Sequence, residues 1–331
     1  MVRRAVLAAT MLALGACAPK LNDRTFLVTH ETVLAVRAEP AEAPPGAQIT
    51  YTALVATPTG ELAAPIDWAF CTERAPLASL GTVNVDCLAA SGDAITPFGT
   101  PGTTATGTLP MNGCRVFGPE VPTVGPHDPP GRPVDPDETG GYYQPVRLLD
   151  ASTPSAPAIE RTRIACGLGN GSGDDRAMFG MRYRPNHNPD VAEVELTIDG
   201  GAPITVDPAT PSAPIAVPTG AHVALRAAWP ECPTDLASLP EGGCAGSEPY
   251  LVFDAVAQQL TERREAMRVS WHATAGVLDR DGTGRDASDL ERTSDDTWTA
   301  PDAAGPAWIW VVVRDARGGV GWLRVDLDVT P

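Results

Sequence analysis

From Val320 to Val329 the chain reads Val-Gly-Trp-Leu-Arg-Val-Asp-Leu-Asp-Val. Leu323, Val325, Leu327 and Val329 fall on one parity, and Trp322, Arg324, Asp326 and Asp328 on the other. Side chains alternate faces along a strand, so an extended segment sorts these residues into a dry side and a wetter one. A helix would scatter them around its circumference. Just upstream, Arg317-Gly318-Gly319 supplies the turn chemistry that leads back to Trp308–Arg314. The end of the chain is therefore a β-hairpin, and a hairpin with an apolar face needs a second layer to cover it.

The same pattern recurs upstream. Val33–Ala38 is a short strand, and Pro44-Pro45-Gly46 is a turn. Gln48–Ala56 then places Ile49, Tyr51, Ala53 and Val55 on one face, and residues 65–71 carry Trp68 as a core filler. After residue 190 the pattern restarts: Val194, Leu196 and Ile198 alternate, then Val223 and Leu225, then a strand with Trp271. The chain holds 34 prolines and 32 glycines among 331 residues, about a fifth of the total against an ordinary ~12%. That composition favours turns and short strands over a helical bundle. Prolines crowd residues 117–145, where a sheet ladder cannot run because proline lacks the donor, so this stretch is read as an insertion. Residues 178–190 are read as a strand followed by an Asn/Pro hinge, and "GLGNGSGDD" (167–175) as a flexible loop outside any strand–turn–helix setting. Residues 253–268 admit a helix of about three turns. They also admit a hairpin with arms at Tyr250–Phe253 and Arg268–Trp271, which is favoured because the second arm runs directly into the Trp271 strand.

The order Ser270-Trp271, Trp298-Thr299-Ala300-Pro301, then Arg314-Asp315 with Gly318-Gly319 resembles polycystic-kidney-disease-type and related bacterial immunoglobulin-like domains. The resemblance covers residues 186–331 and, more loosely, residues 30–116. It implies an all-β chain of two tandem immunoglobulin-like β-sandwiches with long Pro/Gly-rich loops, over residues 32–184 and 186–331. Such motifs specify a fold and not an activity.

At the other end, Arg3 and Arg4 precede the apolar run Ala5–Ala13 and the tetrapeptide Leu14-Gly15-Ala16-Cys17. The run is far shorter than the ~20 residues that span a bilayer, so it reads as a signal peptide. The tetrapeptide resembles the lipobox of bacterial lipoproteins. That resemblance implies lipidation of the Cys17 thiol, removal of residues 1–16 and a tether over residues 17–31. With Ala18 after the cysteine, it also implies anchoring in the outer membrane of a Gram-negative bacterium, by a palmitate-type acyl anchor. Removing Arg3 and Arg4 takes the formal charge from −17 to −19. So acidic a chain repels phosphate backbones, which argues against a nucleic-acid partner.

An exported protein with six further cysteines, Cys71, Cys87, Cys114, Cys166, Cys232 and Cys244, is expected to form three disulfides. Fifteen pairings are open. Local closure favours Cys71–Cys87 and Cys232–Cys244, leaving Cys114 with Cys166, and loops of the shorter size contribute about 3 kcal/mol each. No spacing supports zinc, and His30-Glu31 lacks the second histidine of a zinc-protease helix. Ser172 lacks the spacing of a nucleophile elbow. Asp279, Asp281, Asp286 and Asp289 are a weak calcium candidate, with the glycine misplaced for an EF-hand. Trp308 and Trp310 share a strand face opposite Ile309 and Val311, so they either stack on a glycan or pack against the first domain, the latter being favoured. No cofactor is expected. The chain reads as a non-enzymatic envelope module, structural or interacting with another envelope protein; the alternative is a glycan-binding or calcium-dependent adhesion module.

Overall fold

The period-two segments assemble into two β-sandwiches in a computed structural model that describes residues 25–75, 83–89, 91–120, 138–150, 157–210 and 213–331. The first sandwich contains β1 (Thr32–Glu39), β2 (Glu42–Ala43), β3 (Gln48–Thr57), β4 (Gly60–Glu61), β5 (Ile66–Cys71), β6 (Ile95–Phe98), β7 (Thr104–Thr108), β8 (Gly141–Asp150) and β9 (Ala158–Ala165). One sheet runs β1-β3-β4 with β7 also on β3; the other runs β2-β9-β8-β5-β6. A one-turn helix, α1 (Gly113–Val116), and a ten-residue helix, α2 (Gly173–Arg182), follow β7 and β9 respectively.

The second sandwich contains β10 (Glu193–Ile198), β11 (Ile204–Val206), β12 (Ile215–Pro218), β13 (His222–Ala228), β14 (Pro249–Asp254), β15 (Gln259–Arg264), β16 (Met267–Ala273), β17 (Val277–Leu278), β18 (Gly282–Arg285), β19 (Thr293–Thr299), β20 (Gly305–Arg314) and β21 (Val320–Thr330). Its sheets are β11-β10-β13-β19-β17 and β12-β21-β20-β16-β18, with β14-β15 as a separate hairpin. The chain is thus all-β apart from short helices, with immunoglobulin-like face-to-face sheets.

Inward residues meet as their parity demands. Ile49, Tyr51, Trp68, Phe70, Val146 and Ile164 close the first core, with the Trp68 indole donating to the Gly102 carbonyl at 2.8 Å. Leu196, Val223, Trp271, Trp298, Val311 and Val325 close the second. Pro145 lies inside β8, between β5 and β9, where its missing N–H would leave a carbonyl open. The buried Gln144 side chain supplies the substitute, donating through Nε2 to the Cys71 carbonyl at 2.7 Å. Disulfides join Cys71 to Cys87, Cys114 to Cys166 and Cys232 to Cys244.

Four local expectations need correction. Residues 173–182 are helical, so residues 178–182 are not a strand. Ser172 and Asp175 form a reciprocal capping box that starts the helix inside the supposed loop. The hairpin near residue 253 has arms β14 and β15, with Asp254 accepting from the N–H groups of Val256 and Ala257 at 2.9 Å to set the turn. Arg268–Trp271 belongs instead to β16 in the main sheet. Residues 25–31 are not a free tether, because Phe26 is buried in the second core and Leu27 bridges to Ala273. Finally, Leu168, Phe179 and Tyr183, placed by sequence in the first domain, pack with Leu236, Leu251 and Phe253. Residues 121–137 of the expected insertion, and the signal segment with Cys17, lie outside the described residues.

Candidate functional site

The turn between β20 and β21 builds the centre of the molecule. The Asp315 carboxylate accepts from the N–H groups of Arg317 and Gly319, both at 2.8 Å through Oδ1. Adding a Cβ at Gly319 would bring it to 2.1 Å from Oδ2 of Asp315 and 2.9 Å from the His187 carbonyl, so the turn closes only with a glycine there. The closed turn buries the Arg317 side chain, which is 2% exposed. Its guanidinium pairs with Glu265 at 2.6 Å and Glu248 at 2.8 Å, and donates to the Arg184 carbonyl at 3.0 Å. The Tyr250 ring lies 5.1 Å from it.

Residues 184–190, read as a hinge, are the opposite of one. Asn186 donates through Nδ2 to Asp315 at 3.1 Å, and through its backbone N–H to Glu42 of the first sandwich at 2.9 Å. Asn188 donates to the Ala38 carbonyl at 2.7 Å and accepts from the Val320 N–H at 2.9 Å, tying one strand of each sandwich. Glu42 also pairs with Arg163 at 3.1 Å and accepts from the Tyr183 hydroxyl. Burial pushes the Glu265 carboxyl up to about 8, with the Asp315 charge adding and Arg317 opposing. Burial likewise raises Asp315. The hydrogen bond that His187 donates to the Glu248 carboxylate raises His187. Three carboxyls surround one guanidinium in a dry junction, an arrangement that positions the domains and offers no cleft at Arg317 for a substrate.

Beside this polar clasp lies an apolar one. Trp310, Val312 and Val320 pack against Ala35, Leu54, Ala56 and Val28, with Trp308 partly buried at the margin. The Trp310 indole donates to Glu61 at 3.1 Å. Trp310 is 0% exposed, so the pair does not form an open glycan platform. Packing against the first sandwich, the favoured reading, is what the strand face does.

The weak calcium candidate also dissolves. Asp281 accepts from Thr25, Asp289 pairs with Arg285 at 3.5 Å, and Arg280 and Arg285 interleave the run. Among the described residues no three His, Cys, Asp or Glu side chains converge as a metal ion requires. Ser172 does sit in a strand–loop–helix setting after all, but its hydroxyl and the first-turn carboxylates Asp174 and Asp175 already occupy the helix start. That acidic terminus repels a phosphate. The histidines stay scattered: His187 lies on Glu248, His222 beside Thr299, and His272 half-buried on β16. Arg317, Glu248, Glu265, Asn186 and Asn188 carried no sequence signal of their junction role beyond the Asn-His-Asn run between two prolines.

One open groove adjoins the junction. It encloses about 490 Å³ between β8–β9 of the first sandwich and β16, β20 and the β20–β21 turn of the second. Tyr143, Glu160, Arg161, Arg268 and Arg314 are among its walls.

No family model and no curated protein matches this chain. Among solved structures, the chain is similar to the D0-D1 domain of intimin at 13% identity and a TM-score of 0.21, over 90% of this chain and 99% of that one. It is also similar to the Clostridium thermocellum CbhA fibronectin(III)-like modules at 10% identity and a TM-score of 0.22, over 89% of this chain and 94% of that one. Likenesses this distant carry no functional inference, and the architecture rests on the chain's own registers and cores.

Proposed function

We propose that the protein is a lipid-anchored, non-enzymatic interaction module of the bacterial outer membrane, in which two sandwiches act as one rigid body. The observation that carries the anchor is Leu14-Gly15-Ala16-Cys17 behind a short, positively led apolar run. The doubly clasped junction supports the rigid-body part, since Asn186 and Asn188 tie Glu42 and Ala38 of the first sandwich to Asp315 and Val320 of the second. Trp308 and Trp310 lend the glycan-adhesion alternative no support, because their face is covered.

Cys17→Ser tests the anchor. Wild-type protein is expected to take up a palmitate analogue and enter the detergent phase, because each buried methylene contributes about 0.8 kcal/mol. The variant is expected to remain unlabelled and uncleaved while its sandwiches stay folded. Recovery of unlabelled wild-type protein with an N-terminus at another residue would overturn the reading.

A further inference from the structure

The register of the second sandwich places Arg268 of β16 directly opposite Arg314 of β20. Like charges at opposed positions destabilise a sheet, so such a pair calls for something between the guanidiniums. Arg161 of β9 lines the same groove from the first sandwich, its guanidinium 5.6 Å from the Tyr143 ring centre. Among the described residues none of the three arginines has a carboxylate oxygen within ion-pair distance. Arg163, Arg226, Arg285, Arg317 and Arg324, by contrast, each find one.

The geometry is fixed. Arg314 donates to the Leu34 carbonyl at 2.7 Å and to the Ser270 hydroxyl at 3.3 Å, which holds its half-buried guanidinium at the groove floor. Burial works against its charge, with only Glu160 helping to retain it. Glu160 itself is raised by burial, against the Arg314 and Arg161 charges that pull it back, so the groove holds three guanidiniums to this one partly buried carboxyl and the engaged Asp315. The other acid of the wall, Asp315, has its oxygens engaged by Arg317, Gly319 and Asn186. The groove is therefore a basic site on an acidic protein, with forked donors arriving from both sandwiches.

We propose that this groove binds an oxyanion, a carboxylate or phosphate group of a small ligand, held between Arg161, Arg268 and Arg314. Guanidiniums recognise both groups through paired N–H donors, and three of them around a partly dry pocket favour a ligand over solvent counterions. A ligand there would touch both sandwiches and seal their junction. The inference deepens the interaction-module reading by naming a ligand class, and it is independent of the lipid anchor.

Calorimetric titration of the full-length protein at low salt, with sodium glucuronate in one arm and inorganic phosphate in the other, tests it. Saturable binding in at least one arm is expected, and the arm that responds identifies the group. Glucose, which lacks the charge, is expected not to bind. Arg161→Gln with Arg268→Gln, both at exposed positions, should weaken binding at least tenfold. Arg161→Lys with Arg268→Lys keeps the charge but removes the fork, and should fall between the two. Arg324→Gln, away from the groove, should bind as wild type. Absence of saturable binding in both arms, or equal affinity in the Gln double variant, overturns the proposal. Either result leaves acylation at Cys17 untouched, so failure of the groove and failure of the anchor are separable.

Discussion

Gln144 shows how one side chain rescues a strand that its neighbour should break. Pro145 has no N–H to give, and the Cys71 carbonyl across the ladder receives the Gln144 amide instead. The same Nε2 also donates to the Pro145 carbonyl at 3.0 Å. Gln144→Met keeps the volume but strands both carbonyls, and leaving a buried acceptor unsatisfied costs about 1–3 kcal/mol. Urea unfolding should show a loss of that size, and an unchanged midpoint would mean that another group satisfies Cys71. Nothing in the sequence around residue 144 announces this role, because a strand proline reads only as a breaker. Trp68, by contrast, was legible as a core residue, since strand parity alone sends it inward.

Element by element, legibility followed the range of the forces. β1, β3, β5, β10, β13, β16, β20 and β21 were readable from alternation, because parity against one core decides them. The short closures Cys71–Cys87 and Cys232–Cys244 were readable from spacing. α2 was missed because its start rests on a cap. The Ser172 hydroxyl accepts from the Asp175 N–H at 3.1 Å, and the Asp175 carboxylate accepts from the Ser172 N–H at 2.9 Å. Ser172→Ala should cost about 1 kcal/mol and act locally. Hydrogen exchange is expected to quicken over residues 173–182 with the sandwich cores unchanged; equal protection of the helix in the variant would show that packing of Phe179 alone holds it. The three groove arginines were hidden for a different reason. Arg268 and Arg314 become neighbours through a register that no local pattern reveals, and Arg161 comes from the other sandwich.

At the scale of the molecule, the junction makes stability depend on protons. Glu265, with its carboxyl raised to about 8, keeps in the folded state a proton that the unfolded chain releases near 4.5. His187, raised by Glu248, likewise holds its proton better when folded. Both bind more protons in the native state, so their contribution is lost as pH rises. His272, lowered to about 4 by burial and by Arg314, acts in the opposite sense, but only below its unfolded value of 6.5. From pH 6.5 to 8.5 the melting temperature is therefore expected to fall, and Glu265→Gln to flatten that slope; a wild-type melting temperature that rises over this range would refute the assignment. The N-terminal strap has a consequence in time. Thr25 donates to Asp281, 256 residues further on, and Phe26 fills a core built by strands made last. At the roughly 5–20 residues per second of synthesis, Thr25 waits about 13 to 50 s before Asp281 exists, and the core that Phe26 fills is likewise built from residues past 190. A segment made before either sandwich is thus among the last to dock, and until then it is bare apolar chain for a chaperone to hold.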